Sequence, residues 1–228
     1  KHEIETKPPR PSVPLGVELE DIPEEFLVLA DGFFMDMMAL LGQRTGELHL
    51  ALAGAAEPQF KPEPFSKLYQ RSVYQSLRSL FRRVASTAKK AKRGADEKTR
   101  EGIDNLLSLE ERILERFSAI TRKKINAEKI RIHGDYHLGQ VLFTGRDFMI
   151  IDLEGEPART LSERRLKYSA FRDVAGMLRS FHYAISSRYL YYAEIRPEDR
   201  EFLADWVSPW YEWVRRSFLA SYLRTVEG

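Results

Sequence analysis

Beyond about Pro23 the apolar residues recur at helical steps, with Phe34, Met38, Leu41, Leu48 and Leu52 three or four residues apart, or at multiples of those steps, along one stripe. Gly54 and the prolines at 58, 62 and 64 end that pattern. A second helix is predicted from Ser66 to about Lys92, with Val73, Leu77, Leu80 and Val84 on its inner face and Gly94 as terminator. A third is predicted from Asp96 to Ile120, turning Leu106, Leu109, Ile113, Phe117 and Ile120 inward.

The period then changes. Lys129-Ile130-Arg131-Ile132 alternates, and the short runs Val141-Leu142-Phe143 and Phe148-Met149-Ile150-Ile151 flank Thr144-Gly145-Arg146-Asp147, which reads as a β-hairpin. After Pro157 helical spacing returns, with Val174, Met177, Leu178, Phe181 and Ile185 on one face, followed by a tryptophan-rich helical region from Pro197 to Leu223. Residues 1–22 carry Pro8, Pro9, Pro11 and Pro14 among charges and read as an extended tether. The expected architecture is mainly α with one small β-hairpin, in a tether (1–22) followed by a helical body (23–228).

Composition narrows the function classes. The 228 residues are 43% hydrophobic and 31% charged, the balance of a folded globular chain. The net charge is only +2, from 36 Lys and Arg against 34 Asp and Glu, so no field over the whole domain favours nucleic acid or an anionic membrane. There are no cysteines, which excludes disulfides and thiolate metal sites and suits a reducing compartment. With no apolar run of membrane-spanning length and no signal-like opening, the expected location is the cytoplasm. The basic run from Arg82-Arg83 to Lys92-Arg93 falls at a helix end, where cations suit the macrodipole, and reads as solvated surface.

The informative stretch is His133-Gly134-Asp135-Tyr136-His137-Leu138-Gly139-Gln140, followed by Ile151-Asp152-Leu153-Glu154. Moving a γ-phosphoryl group to an alcohol needs a carboxylate to orient the hydroxyl and accept its proton, and oxygen ligands for magnesium on the phosphates. Asp135 suits the first task; Gln140 and Asp152, brought together by the hairpin, suit the second. Glu154 is a secondary candidate, for a second magnesium or for sugar hydroxyls, against the plain reading of an exposed charge at a strand end.

These segments resemble the catalytic loop (His-Gly-Asp-x-His-x-x-Asn) and metal segment (Ile-Asp-x-Glu) of the aminoglycoside phosphotransferase superfamily, in spacing as well as identity. The departure is Gln140 for the usual Asn, an amide oxygen on an arm one methylene longer, and in this the chain is similar to maltokinases. The similarity continues through Gly155-Glu156-Pro157-Ala158-Arg159 and Asp173-Val174-Ala175-Gly176-Met177-Leu178-Arg179-Ser180-Phe181, with Arg44-Thr45-Gly46-Glu47-Leu48-His49 upstream. The resemblance implies the C-terminal lobe of a protein-kinase-like fold, use of ATP and Mg2+, phosphorylation of maltose to maltose 1-phosphate, and a fused or bound trehalose synthase as partner. It also implies an N-terminal lobe with a β-sheet and a phosphate-gripping lysine, which the chain as read does not contain.

Other residues carry two readings each. His133 and His137 are expected to brace the loop; the rival reading, in which they join Asp135 around zinc, leaves Gln140 and Asp152 without a task. Asp173 opens a helix, as a first-turn carboxylate or, by resemblance, as the residue that ties down the loop. His182, Trp206 and Trp210 are candidates for contact with a sugar, set against the ordinary roles of packed or surface side chains; Trp213 reads the same way, as core. The alternatives to maltose are another sugar, an amino alcohol or an aminoglycoside, and a non-catalytic module that positions a fused enzyme.

Overall fold

The computed structural model describes Glu24, residues 32–191 and residues 197–227. The tether expected at 1–22 lies outside the described residues. The chain forms two compact units, one built from residues up to Pro62 together with Ile130 onward, the other from Glu63–Lys129.

In the first unit, helix α1 (Gly32–Gly54) packs along the long C-terminal helix. Its buried positions are Met35, Met38, Ala39, Leu41, Gly42, Thr45, Gly46 and His49, whereas Leu48 and Leu52 are only half-buried. The inner face is therefore rotated from the stripe predicted from apolar residues alone, because Thr45, His49 and two glycines occupy it. Gly42 shows why: a Cβ there would collide with the backbone of Phe218, so the missing side chain sets how closely the helices approach.

The second unit holds a two-residue strand β1 (Glu63–Pro64), helix α2 (Lys67–Ala91), a 3₁₀ turn, helices α3 (Glu97–Ser108) and α4 (Glu110–Arg122), and strand β2 (Glu128–Lys129), antiparallel to β1. Ser66 and Asp96 cap α2 and α3 by accepting the N–H groups of Tyr69 and Thr99. The predicted face of α2 is corrected. Leu80 and Val84 are exposed, and the buried residues are Gln70, Phe81 and Ala85. Gln70 turns inward because its amide donates to the carbonyls of Ile120 and Lys123, closing the otherwise open C-terminal end of α4. The single helix predicted over 96–120 is two helices, broken at Leu109 (ψ 0°), which is exposed rather than inward. The basic residues Arg82, Lys89, Lys90 and Arg93 line an open groove shared with Glu110.

Back in the first unit, β3 (Val141–Phe143) and β4 (Phe148–Ile150) form the expected hairpin, pairing Val141 with Ile150 and Phe143 with Phe148. A short helix α5 (Leu161–Arg164) starts with a capping box between Thr160 and Glu163. Helices α6 (Phe171–Tyr191) and α7 (Pro197–Glu227) complete the unit. The core joins Met35, Met38 and Leu41 of α1, Tyr136, Val174, Met177 and Phe181, and Trp213, Val214, Phe218 and Tyr222 of α7. Val174, Met177 and Phe181 are inward as predicted. The period-two signal at 129–132 has a different outcome: Lys129 ends β2, and Ile130 forms an isolated bridge to Tyr168. Among the described residues no helix is long and apolar enough to cross a membrane.

Candidate active site

The loop 133–140 is seated on one face of α6. Asp173, Gly176, Met177 and Ser180 fall three and four residues apart and so lie in one row on a helix. Asp173 is buried, and its two carboxylate oxygens accept the backbone N–H groups of His133 (2.7 Å) and Gly134 (2.9 Å). The carbonyl of Tyr136 occupies the space of the absent Gly176 side chain, since a Cβ there would fall 2.6 Å from that oxygen. Ser180 Oγ accepts the N–H of Leu138 at 3.1 Å.

From the other side α1 holds the same loop. The Thr45 hydroxyl donates to the carbonyl of Leu41 and pairs with the Tyr136 hydroxyl at 2.8 Å, and His49 Nε2 lies 3.2 Å from Asp173 Oδ2. Burial pushes the Tyr136 phenol well above its ordinary range, so it stays protonated and can serve as the donor to Thr45.

His133 is buried beneath the loop. Its Nδ1 accepts the N–H of Asp135 at 3.4 Å, which leaves Nε2 to donate to the carbonyl of Ile151 at 2.8 Å. That bond ties the loop to the end of β4. In His137, Nδ1 accepts the N–H of Gly139. With both nitrogens of His133 engaged, a zinc site formed with His137 is unavailable without breaking the loop.

Asp135 thus has its backbone fixed while its side chain stays accessible at 25%. No structural hydrogen bond engages its carboxylate among the described residues; the nearest cationic candidate is His137 Nε2, at 4.0 Å. A carboxylate held in place yet uncommitted is what a proton acceptor for a bound hydroxyl requires.

Gln140 ends the 3₁₀ turn Leu138–Gln140 and leads into β3. Its carbonyl accepts the N–H of Ile151 at 3.0 Å, and its Nε2 donates to Asp152 Oδ2 at 3.1 Å. The hairpin therefore does bring Gln140 and Asp152 together. Asp152 has a φ of +63°, the only non-glycine among the described residues in the left-handed region, a conformation that costs energy and tends to collect at functional sites. Glu154 is exposed two residues on.

The amide oxygen of Gln140 and the second carboxylate oxygen of Asp152 are hard ligands of the kind magnesium takes. Among the described residues no group of three or more His, Cys, Asp or Glu could enclose a metal. Two oxygens from the chain, completed by phosphate and water, fit the way magnesium is held on nucleotides rather than in an all-protein cage.

The hairpin tip is anchored as well. Arg44 reaches Asp147 through two bonds of 2.8 and 2.9 Å and also pairs with Glu47. The guanidinium holds both carboxyls below their usual range, and they in turn hold the arginine above its own.

The remaining candidates lie elsewhere. His182 is exposed on α6, against the edge of Tyr211 and 3.4 Å from Arg179. It is two residues from Ser180, about 200° round the helix from the face that carries the loop. Trp210 stacks on Phe34 with centroids 5.1 Å apart, and Trp206 packs half-buried against the core, while Trp213 is within it. The structure gives these tryptophans packing partners in the core.

Sequence reasoning assigned no task to Thr45, His49, Arg44 or Ser180. The available signal was polar residues at helical spacing on faces that otherwise read as core.

No protein-family model matches the chain. Over 97 residues, 42% of this chain and 20% of the relative, it is 28% identical to a glucosamine kinase of Streptacidiphilus jiangxiensis. Among solved structures it is similar to glucosamine kinase in crystal form A (TM-score 0.68, 22% identity, 87% of this chain and 45% of that one). It is equally similar to glucosamine kinase in complex with glucosamine, ADP and inorganic phosphate (TM-score 0.68, 22% identity, 87% and 46%). The chain therefore spans less than half the length of these relatives. The fold is that of a partial kinase-like domain, mainly helical with two small antiparallel strand pairs.

Proposed function

We propose that this chain is the catalytic half of an ATP-dependent sugar kinase, in which Asp135 orients the acceptor hydroxyl and takes its proton. The observation that carries the reading is the Asp135 carboxylate, uncommitted on a loop whose backbone is held by Asp173, His133 and Ser180 and whose Tyr136 hydroxyl is held by Thr45. At the two ends of the hairpin that follows, Gln140 and Asp152 offer two oxygens suited to magnesium.

In the proposed reaction the acceptor O–H gives its proton to Asp135 as the oxygen attacks the γ-phosphorus of ATP, and ADP leaves with the electrons of the broken P–O bond. Magnesium, when bound, supplies charge neutralisation on the phosphates. Gln140 and Asp152 would hold it, with the Asp152 backbone at a positive φ of 63°. Glu154, on the same segment, is the secondary candidate for a second metal or for sugar hydroxyls.

Two acceptors are supported by different observations. Similarity to a glucosamine kinase, one structure of which holds glucosamine with ADP, favours a hexosamine. Gln140 in place of Asn favours maltose, the acceptor implied by the resemblance to maltokinases, with a trehalose synthase as fused or bound partner.

The test is a coupled ADP-release assay on the full-length protein that contains this segment, with ATP and magnesium and with glucosamine, maltose, glucose, trehalose or no sugar. Sugar-dependent release that Asp135→Asn lowers by about 10² to 10⁴ supports the kinase reading, and the sugar with the highest kcat/KM names the acceptor. Release unaffected by Asp135→Asn would remove that residue from the mechanism.

A further inference from the structure

The unit Glu63–Lys129 carries two open grooves of opposite charge. The first, about 620 Å³, is lined by Arg82, Lys89, Lys90 and Arg93, from α2 and the turn that follows it, with Glu110 as its single carboxylate. The second, about 640 Å³, is lined by Glu110, Glu111 and Glu115 of α4 together with Tyr74 and Leu114, and no cation is among its lining residues. Ala85 borders the first groove and Tyr74 the second. Eleven positions apart on α2, they fall within about 20° of each other round the helix, so the grooves open on one face and meet at Glu110.

The cations of the first groove are uncompensated. Arg82, Lys89, Lys90 and Arg93 form no ion pair among the described residues, whereas the neighbouring Lys92 is paired with Asp104. The helix macrodipole accounts for Lys89 and Lys90 in the last turn of α2. Its reach ends with that turn, and Arg82 lies more than two turns before the helix end. In the second groove Glu110 and Glu111 belong to the first turn of α4, but Glu115 lies beyond it. Glu115 meets Arg122 through one oxygen at 3.3 Å, an exposed pair that leaves the other oxygen open to a partner. Ala85 and Ser86 in one groove, and Ser108 and Ser118 in the other, leave both floors open to long side chains from outside.

A face with cations at one end and carboxylates at the other is complementary to itself. A twofold axis at its middle sets the basic groove of one copy on the acidic groove of the other and repeats the match, as an isologous contact requires. Residues 74–93 extend about 30 Å, and two helices of about 10 Å each give a face of about 600 Å² per copy. That area is at the low end for specific interfaces, so the contact is reversible and charge is its main determinant.

We propose that the α2–α4 face is a self-association surface: a second copy of this chain docks there about a twofold axis, with Arg82, Lys89, Lys90 and Arg93 of each copy against Glu110, Glu111 and Glu115 of the other. The surface shares no residue with the kinase reading, so either can fail without the other.

The test is sedimentation velocity on the full-length protein that contains this segment, at about 50 mM and about 500 mM salt. It compares wild type, Lys89→Glu/Lys90→Glu, Glu111→Lys/Glu115→Lys and an equal mixture of the two double variants. The four positions are exposed and lysine and glutamate are both good helix formers, so the variants are expected to fold, as circular dichroism checks. Wild type is expected to dimerise at low salt and dissociate at high salt. Each double variant alone is expected to weaken the low-salt dimer by at least about tenfold, because like charges then face each other at both ends. The mixture is expected to restore a dimer with one copy of each, since carboxylates of one then face cations of the other throughout.

If a double variant does not fold, the single reversals Lys90→Glu and Glu115→Lys are read in the same way. A wild type that is monomeric at low salt, or a dimer that neither reversal weakens, overturns the proposal. A mixture that fails to restore the dimer also overturns it, and points to an acidic partner of another kind in place of a second copy.

Discussion

Arg44 and Asp147 are 103 residues apart in the chain and meet through two parallel N–H···O bonds, so the first helix of the unit holds the tip of the hairpin that carries Gln140 and leads to Asp152. The arginine holds the Asp147 carboxyl below its ordinary value of 3.8, helped by the N–H of Phe148. A carboxyl lowered on folding stabilises fully above the unfolded value, and that contribution is lost as the pH falls through the folded one. Wild type is therefore expected to exceed Asp147→Asn in urea midpoint at neutral pH and to converge with it at the acid end of a titration. High salt is expected to narrow the neutral-pH gap, because the pair is partly exposed.

Asp173→Asn replaces one acceptor by an NH2 group. Whichever way the amide is turned, a donor among His133 N–H, Gly134 N–H and His49 Nε2–H loses its partner in a buried site. The expected loss is about 1–3 kcal/mol, read as a lower urea midpoint at unchanged m-value.

Two glycine substitutions are expected to act in opposite directions. Gly42→Ala drives a Cβ into the backbone of Phe218 and is expected to cost about 1–3 kcal/mol despite the better helix propensity of alanine. Gly102 lies inside α3 with nothing within 4 Å of the added carbon, so Gly102→Ala is expected to gain about 0.5–1 kcal/mol. Thermal melts of the two variants, scored against wild type, check both signs.

The buried phenols predict an alkaline limit. Tyr222 is pushed up to about 12, chiefly by burial and then by the charge of Asp173, and Tyr136 is pushed higher still, again mainly by burial. A folded value above the unfolded value near 10 leaves stability complete below about pH 10, and it falls as the pH rises through the folded value. Stability measured against pH is expected to decline over that window, and Tyr222→Phe is expected to flatten the decline.

Several elements were legible because the signal was local. The helix starts at Ser66 and Asp96, the Thr144–Asp147 turn and the face of α6 with Val174, Met177 and Phe181 all depend on residues within a few positions of one another. The nearness of Gln140 and Asp152 was readable for a related reason: a hairpin of fixed length joins them, so their spacing along the chain already implied it.

Periodicity misled where an inward position was not apolar. Leu80 and Val84 read as core but are exposed, because Gln70 turns that face of α2 inward to satisfy the carbonyls at the end of α4. Leu109 interrupts a continuous apolar pattern with a bend that no proline or glycine announces. Trp206 and Trp210 carried both readings, sugar contact and core, and the structure packs them half-buried against the core.

The sequence by itself determined the chemistry on offer at Asp135, Gln140 and Asp152, since residue type and short-range spacing decide which atoms can accept a proton or hold a hard cation. Only the tertiary structure decided what keeps those atoms in place. Thr45, His49 and Arg44 come from a helix about ninety to a hundred residues earlier, and Asp173 and Ser180 from one some forty residues later. Their hydrogen bonds exist because Gly42 lets α1 lie against α7 and Gly176 lets the loop lie against α6. Contacts of that range depend on how helices approach one another, and no local pattern of apolar and polar residues encodes that distance.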